Sequence, residues 1–145
     1  MYQIQEGQID LPREWQDKTM NVFVSAGTGT EGVSFVITRE RMPWGMKFDE
    51  YADGEVTKLA RQARDYVAIQ TEKVSLSGRP AFVHEYTWTN NQAQIQQCIT
   101  MVELGETVLM LTFTAPGRIS DTQRRQLQII LTSLQLHDRI SAGKA

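Results

Sequence analysis

Cysteine is nearly absent: Cys98 is the only one in 145 residues. That excludes an intrachain disulfide and leaves a zinc site without its usual thiolates. Long apolar runs are missing too. The longest, around Val108 to Leu111, has the length of a strand and falls far short of the roughly 20 residues that span a bilayer. The opening Met1-Tyr2-Gln3-Ile4-Gln5-Glu6 has neither a positive n-region nor an apolar h-region, so it does not read as a secretory signal. An excess of one charge is lacking as well. A formal net charge of -2 provides no broad positive field for nucleic acid or acidic lipid. These absences lead to the expectation of a cytoplasmic protein with no stable membrane insertion.

What is present is ordinary for a folded domain: 41% hydrophobic and 22% charged residues, in a chain long enough to bury a core. No repeat or linker divides it, so a single domain over 1–140 is expected, with a frayed, disordered tail at 141–145. Gly7 to Pro12 reads as a short strand stopped by proline. Thr19 to Val24 is rich in β-branched and aromatic residues, and Val33 to Arg39 returns after the glycine-rich hairpin Ala26 to Gly32. From Phe48 to about Val67, apolar residues recur at three- and four-residue spacing, which predicts a helix. Four strands follow, at about Ile69–Leu76, Ala81–Thr89, Gln94–Leu104 and Thr107–Thr114. Ser77-Gly78, Asn90-Asn91 and Gly105-Glu106 supply the turns between them. Ser120-Asp121-Thr122-Gln123 resembles a capping box opening a second helix.

The expected class is α+β: a mainly antiparallel, curved sheet of about six or seven strands with two principal helices. Alternation along the strands is imperfect. Met20, Val22 and Val24 share one face while Phe23 lies on the other; Leu109, Leu111 and Phe113 oppose Val108 and Met110. Both faces therefore hold apolar side chains, with only two helices to cover them. An uncovered apolar face marks an interaction site. A homodimer that packs the second face is the alternative, and the two can both hold.

Signals of catalysis are few. His84 and Glu85 are strand neighbours whose side chains point to opposite faces, and both His84 and His137 read as surface or half-buried histidines. Cys98 reads as inert core, and Arg124-Arg125 as solvated helix surface. The glycines at 27, 29 and 32 lack the lysine and the following helix of a phosphate loop. No enzymatic activity, cofactor or metal site is expected. Among the glutamines, Gln62 and Gln97 neighbour apolar positions, where an amide can meet a buried polar group at about 1 kcal/mol net per bond.

Gly7-Gln8-Ile9-Asp10-Leu11-Pro12 with Trp15, Thr19 to Val24, the helix Phe48–Val67, and Ser77 to Ala81 leading into Tyr86-Thr87-Trp88 together resemble DcrB-like domains, and in particular the Eag chaperones of type VI secretion. The resemblance covers nearly the whole chain, through strand and turn patterns rather than an invariant signature. It implies a fold akin to the Mog1 and PsbP proteins. It also implies a homodimer that binds hydrophobic transmembrane helices of an effector, with no stable insertion of its own. On that resemblance the helix-binding positions carry over onto Met20, Val22 and Val24, with Gln62 and Gln97 as polar candidates, and more weakly onto Ile37, Ile99 and Met110. A regulator of a small GTPase and an enzyme acting on a small apolar ligand are the other two readings.

Overall fold

The computed structural model describes residues 1–27 and 31–137. The tail expected at 141–145 and the middle of the 26–32 hairpin lie outside the described residues. Two strands, β1 (Tyr2–Ile4) and β2 (Gly7–Ile9), form a separate antiparallel hairpin. The main sheet comprises β3 (Asn21–Val24), β4 (Ser34–Arg41), β5 (Val67–Leu76), β6 (Arg79–Asn90), β7 (Ala93–Leu104) and β8 (Thr107–Pro116). Its order is β3-β4-β8-β7-β6-β5, antiparallel throughout. Two helices complete the fold, α1 (Phe48–Gln62) and α2 (Asp121–Thr132).

The α+β class and the two helices stand as expected, with six strands in the sheet. Two boundaries differ. The first segment is not one strand over 7–12 but the second arm of a hairpin whose partner, Tyr2 to Ile4, has too little β-branching to announce itself. The first helix stops at Gln62, because Asp65 takes φ 54°, a left-handed conformation that ends the helical path, and Val67 already belongs to β5.

Turn chemistry sets the register of the long strands. Ser77 (φ 52°) with Gly78 (φ 75°), and Asn91 (φ 51°) with Gln92 (φ 69°), form two-residue connections with both central residues left-handed, the geometry that matches strand twist. Gly32 at φ 80° enters β4 where a Cβ would stand 2.8 Å from Pro116 Cγ, so a side chain there would force the end of β8 aside. Ser120 caps α2: its hydroxyl accepts from the Gln123 N–H, and the Gln123 amide oxygen accepts from the Ser120 N–H.

The helices lie on opposite faces. On the first face, Phe48 and Ala52 of α1 pack on Phe82, Tyr86, Ile99 and Met101, over β6 and β7. On the second, Leu127 and Leu131 of α2 pack with Cys98, Phe113 and Ala115, and the segment after α2 continues onto Leu109 and Leu111 through Leu134 and Leu136. Each helix dries its own part of the sheet. The columns that α1 does not reach are β3, β4 and the distal half of β8.

Candidate functional site

Register places side chains on the α1 face in rows that cross the sheet. One row runs Val24, Ser34, Thr114, Gln97, Tyr86; the next runs Val22, Val36, Thr112, Ile99, His84. A third begins at Thr38 and continues through Met110, Met101 and Phe82. The inner ends of all three rows are buried beneath α1. Their outer ends are open: Val22 is 57% and Val24 70% exposed, while Ser34, Val36, Thr38, Thr112 and Thr114 are half-buried. The result is an apolar strip at the sheet margin, with hydroxyls set among valines. A free surface of this kind is costly in water, at about 25 cal/mol per Å² of apolar area.

The residues carried over by resemblance divide on this map. Val22 and Val24 form the outer border of the strip, and Ile99 and Met110 form the inner one at the foot of α1. Met20 precedes β3 and is exposed. Gln62 is exposed at the C-terminal end of α1. Ile37 does not join them. It stands opposite Leu111 on the other face and packs in the core that α2's extension closes, because strand parity sends odd positions of β4 to that side.

Gln97 sits on the strip's inner border, and its amide is held by the chain itself. Its Oε1 accepts from the Tyr86 hydroxyl and the Trp88 indole N–H, both at 2.7 Å, and its Nε2 donates to Thr114 Oγ1 at 2.9 Å. Both carbonyl lone pairs are used, leaving one amide proton and the Thr114 hydroxyl proton as donors towards the strip.

Two constellations escaped the sequence reading. His84 is not a surface or half-buried histidine: it is 1% exposed. Its Nε2 lies 2.5 Å from the Tyr66 hydroxyl, its Nδ1 lies 2.6 Å from Thr71 Oγ1, and its ring stacks on Tyr86 at 5.3 Å. Burial away from water disfavours the imidazolium and lowers the His84 pKa. Arg124 is likewise not solvated helix surface. Its guanidinium forms a two-pronged pair with Glu85 on the α2 face, and Gln96 Nε2 donates to the same carboxylate at 2.5 Å. Strand parity could have flagged both, since two polar neighbours inside an otherwise apolar strand must each be satisfied on their own face.

Neither constellation presents an activated group. Burial pushes the Cys98 thiol up to about 12, where no thiolate exists near neutrality. Among the described residues, no cluster of His, Cys, Asp and Glu has the grouping of a metal site, and no helix is long and apolar enough to cross a membrane.

The DcrB family model matches residues 6–133. A protein of Pseudomonas aeruginosa strain PAO1 named Effector EagT6 is 23% identical over 115 residues, which are 79% of this chain and 80% of that one. The crystal structure of a Pseudomonas aeruginosa protein of unknown function, PA94, superposes with a TM-score of 0.80 at 20% identity, covering 94% of this chain and 95% of its own. The solution structure of cyanobacterial PsbP from Synechocystis sp. PCC 6803 superposes at 0.53 with 11% identity, covering 79% of each chain. These likenesses show a shared fold. The Saccharomyces cerevisiae Ran-binding protein Mog1p reaches only 0.49 at 15% identity, covering 90% of this chain and 75% of its own, and nothing rests on it.

Proposed function

Starting from a chain that belongs to the DcrB family, we propose that it is a non-catalytic chaperone which shields hydrophobic helices of a type VI secretion effector. The proposal extends to a cytoplasmic homodimer that helps load its client onto the secretion apparatus. The observation that carries it is the open strip of Val22, Val24 and Val36 beside α1, apolar yet interrupted by the hydroxyls of Ser34, Thr38, Thr112 and Thr114. A transmembrane helix in water exposes about 20 apolar residues and satisfies its own backbone. What it needs from a carrier is apolar contact, with a few hydrogen bonds for its polar side chains, and the strip offers that mixture. The similarity to EagT6 supports the same reading.

A small-GTPase regulator would call for an acidic or mixed polar face; the polar groups of this strip are hydroxyls alone, with no charged side chain among them. The absence of catalysis belongs to the proposal: a raised Cys98 thiol and a histidine with both ring nitrogens occupied supply no ready nucleophile or base. The test is co-expression with the apolar N-terminal segment of a type VI secretion effector. The segment is expected to stay soluble with the wild-type chain and to precipitate with Val22→Asp, Val24→Asp or Val36→Asp. Unchanged solubility with all three variants would remove the strip from the client site.

A further inference from the structure

At the end of the sheet where β4 gives way to α1, the chain runs Met42-Pro43-Trp44-Gly45-Met46-Lys47. The Met46 N–H donates to the Pro43 carbonyl at 3.1 Å and Gly45 takes φ 82°, so residues 43–46 form a closed turn whose third position requires positive φ. Both ends of the turn are fastened. The Met42 N–H donates to the Glu106 carbonyl at 2.8 Å, and the Met42 side chain packs on the core beneath α1. On the other side, the Lys47 N–H donates to the Glu50 carboxylate at 2.9 Å as the helix begins, and Phe48 is buried.

This fastened turn carries Trp44, which is 98% exposed. Its indole has no hydrogen-bonding or ring partner among the described residues. A large aromatic side chain held in water on a fixed backbone is the form that anchors of protein contacts take. Beside it, the turn and the β7–β8 connection enclose an open cavity of about 690 Å³, within the size range of binding pockets. Trp44, Met42 and Met46 give the cavity an apolar lining, and Glu103 of β7 gives it an acidic one.

Glu103 follows Met101 on the α1 face and stands opposite Val108, which pairs in turn with Glu40. It is half-buried, yet its carboxylate stands in no hydrogen bond or ion pair among the described residues. The other charges at the cavity are accounted for. Arg41 and Glu106 neutralise each other at 2.9 Å. Lys47 is exposed, so water and salt screen its repulsion of an incoming cation, whereas half-buried Glu103 is screened less. A carboxylate partly withdrawn from water without a partner favours a cation that comes to meet it.

From these observations we infer that the cavity is a docking site for an arginine side chain carried by a partner polypeptide. A guanidinium is planar: it lies flat on the Trp44 ring while two of its N–H groups donate to the Glu103 carboxylate. An ammonium has the charge but neither the flat face nor the fork. The thioethers of Met42 and Met46 are soft enough to fit the arginine stem. The occupant is a polypeptide because a free guanidinium would leave most of the indole wet, whereas residues flanking the arginine would cover it. The site shares no residue with the strip of Val22, Val24 and Val36, and it stands whether or not the chaperone reading does.

The probe is the blocked tripeptide acetyl-Gly-Arg-Gly-amide, titrated into the full chain while the Trp44 indole N–H resonance is followed. Lysine and citrulline analogues serve as controls. The arginine peptide is expected to shift the resonance saturably, with a dissociation constant on the order of 1 mM. The lysine peptide should bind several-fold more weakly, and the citrulline peptide, planar but uncharged, should not saturate. Glu103→Gln is expected to weaken the arginine peptide about tenfold, with the Trp88 indole resonance unmoved as the sign of an intact fold. No shift with arginine, an equal response to citrulline, or undiminished binding by Glu103→Gln would overturn the site. Sedimentation covers the rival occupant: Trp44→Ala should keep the wild-type mass, and a lower mass would give the cavity to a second copy instead. Trp44→Ala and Glu103→Gln should both rescue the client as the wild type does. Loss of rescue in either would make the cavity part of the client site and end its claim to a partner of its own.

Discussion

Arg124 on α2 closes both arms of its guanidinium on the carboxylate of Glu85, which lies on β6 beneath the helix and is almost wholly buried. The pair is the polar fastening between the second helix and the sheet. Gln96 joins it from β7, donating to Glu85 while accepting the Ile119 N–H at 2.8 Å just before the helix. Glu85 raises the Arg124 pKa further, so the guanidinium is charged at every accessible pH.

Arg124→Ala leaves a buried carboxylate with Gln96 as its remaining partner, and should cost about 3 kcal/mol of unfolding free energy. Arg124→Lys should recover less than half of that, because an ammonium cannot reproduce the two-pronged geometry. Urea denaturation checks both. Equal stability of the lysine variant and the wild type would mean that the fork contributes nothing.

Gln97 predicts a contrast. Gln97→Leu leaves the Tyr86 hydroxyl and the Trp88 indole N–H without their shared acceptor, and should destabilise by about 2–3 kcal/mol. Gln97→Glu keeps an acceptor for both, and the Thr114 hydroxyl can turn its proton towards the carboxylate, so it should cost less, by about 1 kcal/mol. Chemical denaturation at pH 7.5 measures the order of the two. If leucine proved as stable as glutamate, the network would be incidental to folding.

His84 makes stability depend on pH. Its pKa is lowered in the folded chain by burial, so between the folded value and the unfolded one near 6.5 the unfolded chain binds more protons. Stability contributed by the neutral ring is complete above about pH 6.5 and is lost as pH falls towards and through the folded value. The groups about the ring, Tyr66, Thr71, Tyr86 and the backbone of Gln70, include no carboxylate, and the Gln70 hydrogen bond that favours the cation is outweighed by burial. The expected result is a lower melting temperature at pH 5.5 than at pH 7.5. That difference should shrink in His84→Gln, even though this variant melts lower at both. An undiminished pH dependence in His84→Gln would assign the effect to other groups.

Cys98 supplies a probe of global opening. Its thiol is buried and pushed up to about 12, so a disulfide reagent at pH 8 should label the native chain at the rate of unfolding. Labelling is expected to accelerate with urea along the unfolding limb. Fast modification without denaturant would show a local opening beneath α2.

Much of the fold was legible because local chemistry dictates it. The period of apolar residues from Phe48 announced α1, and Ser120 with Gln123 announced the start of α2. Turn residues separated the long strands, Ser77-Gly78 in place and Asn90-Asn91 one residue ahead of the observed turn at Asn91-Gln92. The site was legible only in part. Alternation assigned Val22 and Val24 to one face, but the same alternation sends Ile37 to the other, against the carry-over from resemblance. The Arg124–Glu85 pair was invisible because its two residues are 39 positions apart and meet only once α2 folds across β6.

The sequence by itself determined the element types, the antiparallel pairing and the surplus of apolar strand faces over helices able to cover them. Those follow from backbone sterics, turn chemistry and side-chain periodicity, which act over a few residues. Only the tertiary structure decided which columns stay bare, because that depends on where each helix docks. With α1 confined to β6, β7 and the near half of β8, and α2 on the opposite face, the uncovered strip falls at the β3 margin, where apolar side chains and an open hydrogen-bonding edge coincide.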